Sequence, residues 1–219
     1  AVFGLFVVVL IIVMAITASF LYPEDPFRLV GKPLSKPLTN GFLLGSDSLG
    51  RDVASGIVHG AKTSLLIGFV ATLVSVFIGI FFGAFAGYFG GLIDDILMRV
   101  TEIFQTIPSF IFAILLVAIM KPSMSSIVIA IAVVSWPGVA RLVRGEFLAV
   151  KNREFVQACH TLGMSDFRIM LREILPNCLS PIIVVGSLMV ATAILIESGL
   201  AFLGLGDPNI MSWGFLIGA

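Results

Sequence analysis

The sequence predicts an all-α, polytopic helical membrane protein, and three observations carry that prediction. Hydrophobic residues make up 58% of the 219 and charged residues only 12%, with a mean hydropathy of +1.12, whereas an ordinary soluble domain is about a quarter charged. A water-soluble chain of this length would have too little polar surface to cover its core, so the apolar side chains must face lipid or other membrane helices. Five stretches approach the roughly 20 residues that cross a bilayer core: residues 1–22, 63–90, 103–120 and 124–140 carry no charge, and 181–200 carries only Glu197. None of them alternates with the period of a barrel strand, and a helix pairs its backbone amides within the segment, as hydrocarbon demands.

Taken in order, residues 1–22 lack both a basic start and a small-x-small cleavage site, so they read as a retained first span and not a signal peptide. Residues 23–62 contain Pro23, Pro26, Pro33 and Pro37 and then a Gly/Asp/Ser-rich patch. That pattern predicts an ordered loop lying on the membrane, irregular at first and with a short helix in its second half. In the second span Gly79, Gly83 and Gly87 recur every fourth residue, giving one helix face without side chains. Close helix packing is the favoured use of such a face, over direct contact with a solute.

The third and fourth spans are followed by a second polar interval, 141–180, which holds six of the 13 basic residues: Arg141, Arg144, Lys151, Arg153, Arg168 and Arg172. With spans alternating in direction, the basic residues divide seven to six between the two sides, so the positive-inside rule leaves the orientation open. Near the end of the fifth span, Glu197 is open to two readings. An intramembrane carboxylate is a default candidate for a solute pathway, and a carboxylate hydrogen-bonded to a neighbouring helix is the structural alternative, which is favoured. A sixth apolar segment begins at residues 213–219 and is expected to continue as a final helix. The whole, 1–219, reads as one membrane domain.

Composition and motifs also exclude functions. Thirteen basic and 13 acidic residues balance to zero net charge, without the basic stripe of a nucleic-acid binder. Cys159 and Cys178 lack metal-ligand or redox spacing and read as free thiols. His59 and His160 have no second ligand near them in sequence, so no metal site is expected. No nucleophile elbow or paired carboxylates mark a catalytic centre. Residues 60–63, Gly-Ala-Lys-Thr, resemble the end of a phosphate-binding loop, but Ala61 stands where that loop needs glycine before its lysine. Any ATP must therefore be hydrolysed by a partner.

The most informative stretch is Arg153-Glu-Phe-Val-Gln-Ala-Cys-His-Thr-Leu-Gly-Met-Ser-Asp-Phe-Arg-Ile-Met-Leu-Arg-Glu-Ile-Leu-Pro-Asn177. Phe155, Cys159 and Leu162 form an apolar stripe on a short helix that Gly163 can end. A second short helix is expected from an N-cap at Ser165 to Leu175, stopping before Pro176. Two amphipathic helices joined at a glycine suit a groove on another protein; a loop resting on lipid headgroups is the plainer alternative.

This stretch resembles the EAA loop of ATP-binding-cassette importer permeases, in which Glu-Ala-Ala is followed after three residues by glycine. Gln157, Ala158 and Cys159 occupy the triplet, so only its middle residue matches, while Gly163 and the Ile174-Leu-Pro176 end are in register. Leu44-Gly-Ser-Asp-Ser-Leu-Gly-Arg-Asp52, Gly60-Ala-Lys-Thr-Ser-Leu65, Phe202-Leu-Gly-Leu-Gly206 and Ser212-Trp-Gly214 narrow the resemblance to the dipeptide, oligopeptide and nickel branch. The resemblance implies a permease half of an importer in a bacterial or archaeal inner membrane. Residues 141–180, with Glu154, Gln157, Ala158, Cys159, Leu162, Gly163, Ser165 and Asp166, would form a cytoplasmic loop coupling to ATPases. Gly45, Asp47, Gly50, Arg51 and Asp52 would form an outer-face motif that helps receive a solute-binding protein. It further implies a second, related permease subunit, two ATPase subunits that carry ATP and Mg, and no cofactor on this chain. A secondary transporter or channel would instead need intramembrane ion-coupling residues, and Glu197 alone has that character.

Overall fold

The computed structural model describes residues 2–39 and 42–219. Residue 1 of the first expected span, and residues 40 and 41 of the loop at 23–62, lie outside the described residues. Nine α-helices follow in order among these: α1 Val2–Leu21, α2 Val53–Phe89, α3 Gly91–Gln105, α4 Ser109–Met120, α5 Met124–Val150, α6 Glu154–Thr161, α7 Asp166–Ile169, α8 Leu175–Leu200 and α9 Trp213–Gly218. Five-residue π-helical turns, Met170–Ile174 and Ala201–Leu205, precede and follow α8. Among the described residues there is no β-strand, only isolated bridges pairing Thr39 with Phe42 and Ser46 with Asp52. The all-α membrane class read from the sequence is the class observed.

Among the described residues four helical stretches are long and apolar enough to cross a bilayer, Val2–Leu21, Val53–Phe89, Met124–Val150 and Asp166–Leu205, and the bent pair α3 and α4 counted as one span makes a fifth. In α1 only Ala15 and Ala18 are buried, while Val2, Phe3 and Phe20 are at least 80% exposed, as lipid-facing side chains must be. The helices outrun the charge-free stretches. At 37 residues α2 is roughly 55 Å long, against a hydrocarbon core of about 30 Å. It starts ten residues before the uncharged run because Asp52 caps it, Oδ1 accepting from the Ala54 amide at 2.9 Å. Likewise α5 continues past residue 140 to Val150 and takes Arg141 and Arg144 into the helix.

Two prolines act on the helices in opposite ways. The stretch 103–120 is no single straight helix: α3 and α4 meet at 81°. Pro108 disfavours helical geometry at Ile107, and the Thr106 hydroxyl caps α3 by donating to the Ile103 carbonyl at 2.7 Å. Pro176, by contrast, ends nothing. The wide turn at Met170–Ile174 relieves the ring's clash with the carbonyl of Arg172, so α7 runs on into α8.

The chain packs as two compact units. The first comprises residues 1–69, 116–128 and 192–219; the second comprises 70–115 and 129–191. In the second unit α2 lies against α5 without space for side chains between them. A Cβ on Gly79 or Gly83 would overlap Val139 and the Ala140 carbonyl, respectively, and one on Gly87 would fall 2.6 Å from Phe147 Cβ. Below this seam one apolar core gathers Val143 and Phe147 of α5, Val156 of α6, Ile169 of α7, Ile174 and Cys178.

Candidate functional site

Three groups of residues bear on function, and each lies within one unit. In the first unit Glu197, in the last turns of α8, is 1% exposed. Its Oε2 accepts from Ser64 Oγ of α2 at 3.1 Å and from Ser198 Oγ at 3.4 Å, and Ser212 is a further partner. Ser64 Oγ in turn accepts from the Trp213 amide at 3.2 Å, and the Trp213 indole donates to the Ile57 carbonyl at 3.0 Å. The start of α9 is thereby tied to α2 and α8. Close approach makes the ties possible: a Cβ on Gly60 would fall 3.1 Å from the Trp213 nitrogen, and one on Gly214 would sit 2.5 Å from Ser198 Cα. Asp207, in the connecting segment, accepts from the Met124 amide at the start of α5 at 3.2 Å and so joins Ser123 Oγ, which accepts from the Ser126 amide at 3.1 Å, in capping that helix N-terminus.

Also in the first unit, residues 44–52 fold upon themselves. Gly45 and Gly50 have φ of 85° and 87°, and a side chain on either would overlap the carbonyl of Ser35 or Gly31, respectively, so only glycine fits. Asp47 Oδ1 accepts from the Leu49 and Arg51 amides at 2.9 and 2.8 Å, closing the turn. Asp52 is the α2 cap already described. The Arg51 guanidinium lies 5.3 Å from the Phe27 ring centroid and 5.4 Å from that of Phe215 in α9, a cation–π clamp. Its Nε is 4.0 Å from Asp47 Oδ2.

In the second unit α6 and α7 flank Gly163, whose φ of 74° is the left-handed conformation that glycine adopts at a helix end. Glu154 and Ser165 stand at the two helix starts, Ser165 as N-cap without a side-chain bond. Glu154, Gln157 and Ala158 are exposed, and Gln157 Nε2 donates to the Asn152 carbonyl at 3.3 Å. Cys159 is a half-buried free thiol. Asp166 accepts from the Tyr88 hydroxyl at 2.7 Å. The apolar side chains divide by position: Val156 and Ile169 are fully buried, whereas Leu162 is 80% and Phe167 62% exposed.

The sequence pattern marks neither Val156 nor Tyr88, and it gives Ser64 and Ser212 only within family motifs and not as partners of Glu197. Val156 lies beside the Phe155, Cys159 and Leu162 stripe and not on it. Ser64 is 133 residues from Glu197, although the Ser212-Trp-Gly214 motif was a pointer to its partner. No group of three His, Cys, Asp or Glu side chains suited to a metal occurs among the described residues.

Long apolar helices and a small-residue seam define a multi-pass helical membrane protein. The chain belongs to the family of binding-protein-dependent transport system inner membrane components, whose model matches residues 79–214. It is 41% identical to the dipeptide transport system permease protein DppC of Bacillus subtilis over 97% of this chain and 67% of that one. It is also 41% identical to the oligopeptide transport system permease protein OppC of Escherichia coli K12 over 99% of this chain and 73% of that one. A glutathione transport system permease protein, GsiD of Pectobacterium atrosepticum, is 38% identical over 98% and 71%. Among solved structures the fold is shared with a chain of the inward-facing MetNI methionine ABC transporter, at a TM-score of 0.61 and 17% identity over 70% of this chain and 77% of that chain.

Proposed function

We propose that the chain is one permease half of an ATP-driven importer for peptides or a related small solute such as a nickel chelate. The names of its relatives support the solute class. The observation that carries the coupling mechanism is the division on α6 and α7: Leu162 and Phe167 remain exposed while Val156 and Ile169 anchor the same helices in the core. Apolar side chains presented on a firmly held element are suited to a partner's groove. We assign that groove to a cytoplasmic ATPase subunit. Residues 141–180 then lie inside and 23–62 outside, with the motif at Gly45, Asp47, Gly50, Arg51 and Asp52 facing a solute-binding protein. A related second permease chain completes the path, ATP and Mg are bound by the two ATPases, and this chain carries neither a catalytic site nor a cofactor. Glu197, saturated with serine hydroxyls, serves to hold α9 and does not contact solute.

The test is uptake of radiolabelled dialanine into proteoliposomes holding the full complex. ATP-dependent accumulation is expected, and deleting residues 154–163 should abolish both accumulation and ATPase retention. Uptake that proceeds without ATP, or survives the deletion, would refute the reading.

A further inference from the structure

Tyr88 is the penultimate residue of α2, at the corner where Gly90 and Gly91, with φ of 66° and 53°, turn the chain toward α3. Three contacts meet there. Its hydroxyl donates to Asp166 Oδ1 in the first turn of α7 at 2.7 Å. Its ring stacks on His160 at the end of α6, with centroids 6.4 Å apart and planes 25° from parallel. Its carbonyl accepts from Lys151 Nζ, just beyond α5, at 3.4 Å. One residue thus touches both short helices on either side of Gly163.

Beneath these polar contacts Tyr88 packs against the core shared by Phe147, Val156 and Ile169. The next residue back, Gly87, is so close to α5 that a Cβ there would meet Phe147 Cβ at 2.6 Å. A displacement of α6 and α7 therefore has a direct route into α2. The buried core joins the short helices to α5 through Val143 and Phe147 and to α2 through Ala84, contacts that are apolar and without direction. The Tyr88 side chain adds a polar tie from α2 to α7, and its hydroxyl is the directional part of the connection.

We propose that Tyr88 is a positioning residue for energy coupling: through its bond to Asp166 and its stack on His160 it makes the inner end of α2 move with α6 and α7. This rests on the assignment of α6 and α7 as the element that meets the ATPase. The ring performs the packing and the hydroxyl the latching, so Tyr88→Phe removes the second and keeps the first. Hydrogen bonds to charged groups are the stronger kind, and this one lies on the surface, where water competes for it.

The experiment uses the complete complex in proteoliposomes. For Tyr88→Phe, assembly and basal ATP hydrolysis are expected to persist while dialanine uptake per ATP hydrolysed falls about five-fold, equivalent to about 1 kcal/mol at 1.36 kcal/mol per factor of ten. Adding Asp166→Ala to that variant should lower the ratio no further, because the shared bond is already gone. The second readout needs no solute. Spin labels at positions 81 and 161, with both native cysteines replaced by alanine, should show one narrow distance in nucleotide-free and ATP-trapped wild type, and a broadened distribution in Tyr88→Phe. A narrow distribution in the variant, or an unchanged uptake ratio, overturns the latch. A wild-type complex that takes up no dialanine overturns the peptide reading instead, and the spin-label distances still judge the latch.

Discussion

In the first unit, the short helix α9 is held by a buried carboxylate and serine hydroxyls; in the second, α6 and α7 are held by valine and isoleucine side chains in an apolar core. Glu197 is 1% exposed and its Oε2 accepts from the hydroxyls of both Ser64 and Ser198. Such a network has one good geometry, because any shift leaves a polar group unpaired in a low-dielectric interior. Val156 and Ile169 make contacts that tolerate small sliding, and the polar bonds of their helices, such as that from Tyr88 to Asp166, lie on the surface. The difference teaches that a directional buried network suits a fixed fastening, while an apolar anchor with surface latches suits an element that bears a load.

The largest expected effect tests the seam on which the second unit depends. Gly83→Leu drives a side chain into the Ala140 carbonyl and into Val143, whose Cβ is 2.7 Å from the added Cβ. It should destabilise by about 3 kcal/mol or more, seen as loss of monodisperse protein in detergent. Gly145→Ala on α5 meets nothing within 4 Å and should leave the melting temperature unchanged or slightly raised. If both variants behave alike, the close seam is not what holds α2 to α5.

Next comes the polar fastening. Glu197→Ala leaves the Ser64 and Ser198 hydroxyls without their acceptor and opens a cavity, at a cost of about 2 kcal/mol. Glu197→Gln keeps an acceptor and should cost about half as much, with uptake following stability in both variants. A Glu197→Gln protein of native stability but without uptake would move Glu197 from fastening to solute pathway.

These contrasts also show how much was legible beforehand. Charge-free runs revealed that the spans exist, because hydrocarbon excludes charge whatever the tertiary structure. They could not set the ends, since α2 and α5 extend into polar sequence once Asp52 caps one and core packing supports the other. The bend at Pro108 had a local cause within reach. The passage of the helix through Pro176 did not, because it depends on a π-turn that no pattern announces. Gly163 was readable from its own conformational freedom. The serines around Glu197 were not, because their pairing depends on how α2 and α9 meet.

The smallest stability effect offers the sharpest test of the comparison. Val156 and Leu162 lie on the same short helix and its cap, one fully buried and the other 80% exposed. Val156→Ala removes two methyl groups from a closed core and should cost about 1 to 2 kcal/mol in thermal unfolding. Leu162→Ala changes a side chain that touches little of its own protein, so stability should stay within about 0.5 kcal/mol of wild type. Retention of the ATPase subunits should show the reverse order. If Leu162 fills the partner's groove, its truncation weakens that association about ten-fold, or about 1.4 kcal/mol. Val156→Ala, which leaves the presented face intact, should weaken it far less. Titrating ATPase subunits onto immobilised permease variants, alongside their melting curves, separates the two. Equal retention by the Leu162 variant and wild type would mean that the exposed face of α6 rests on lipid, and that the firm anchoring of Val156 serves the fold alone.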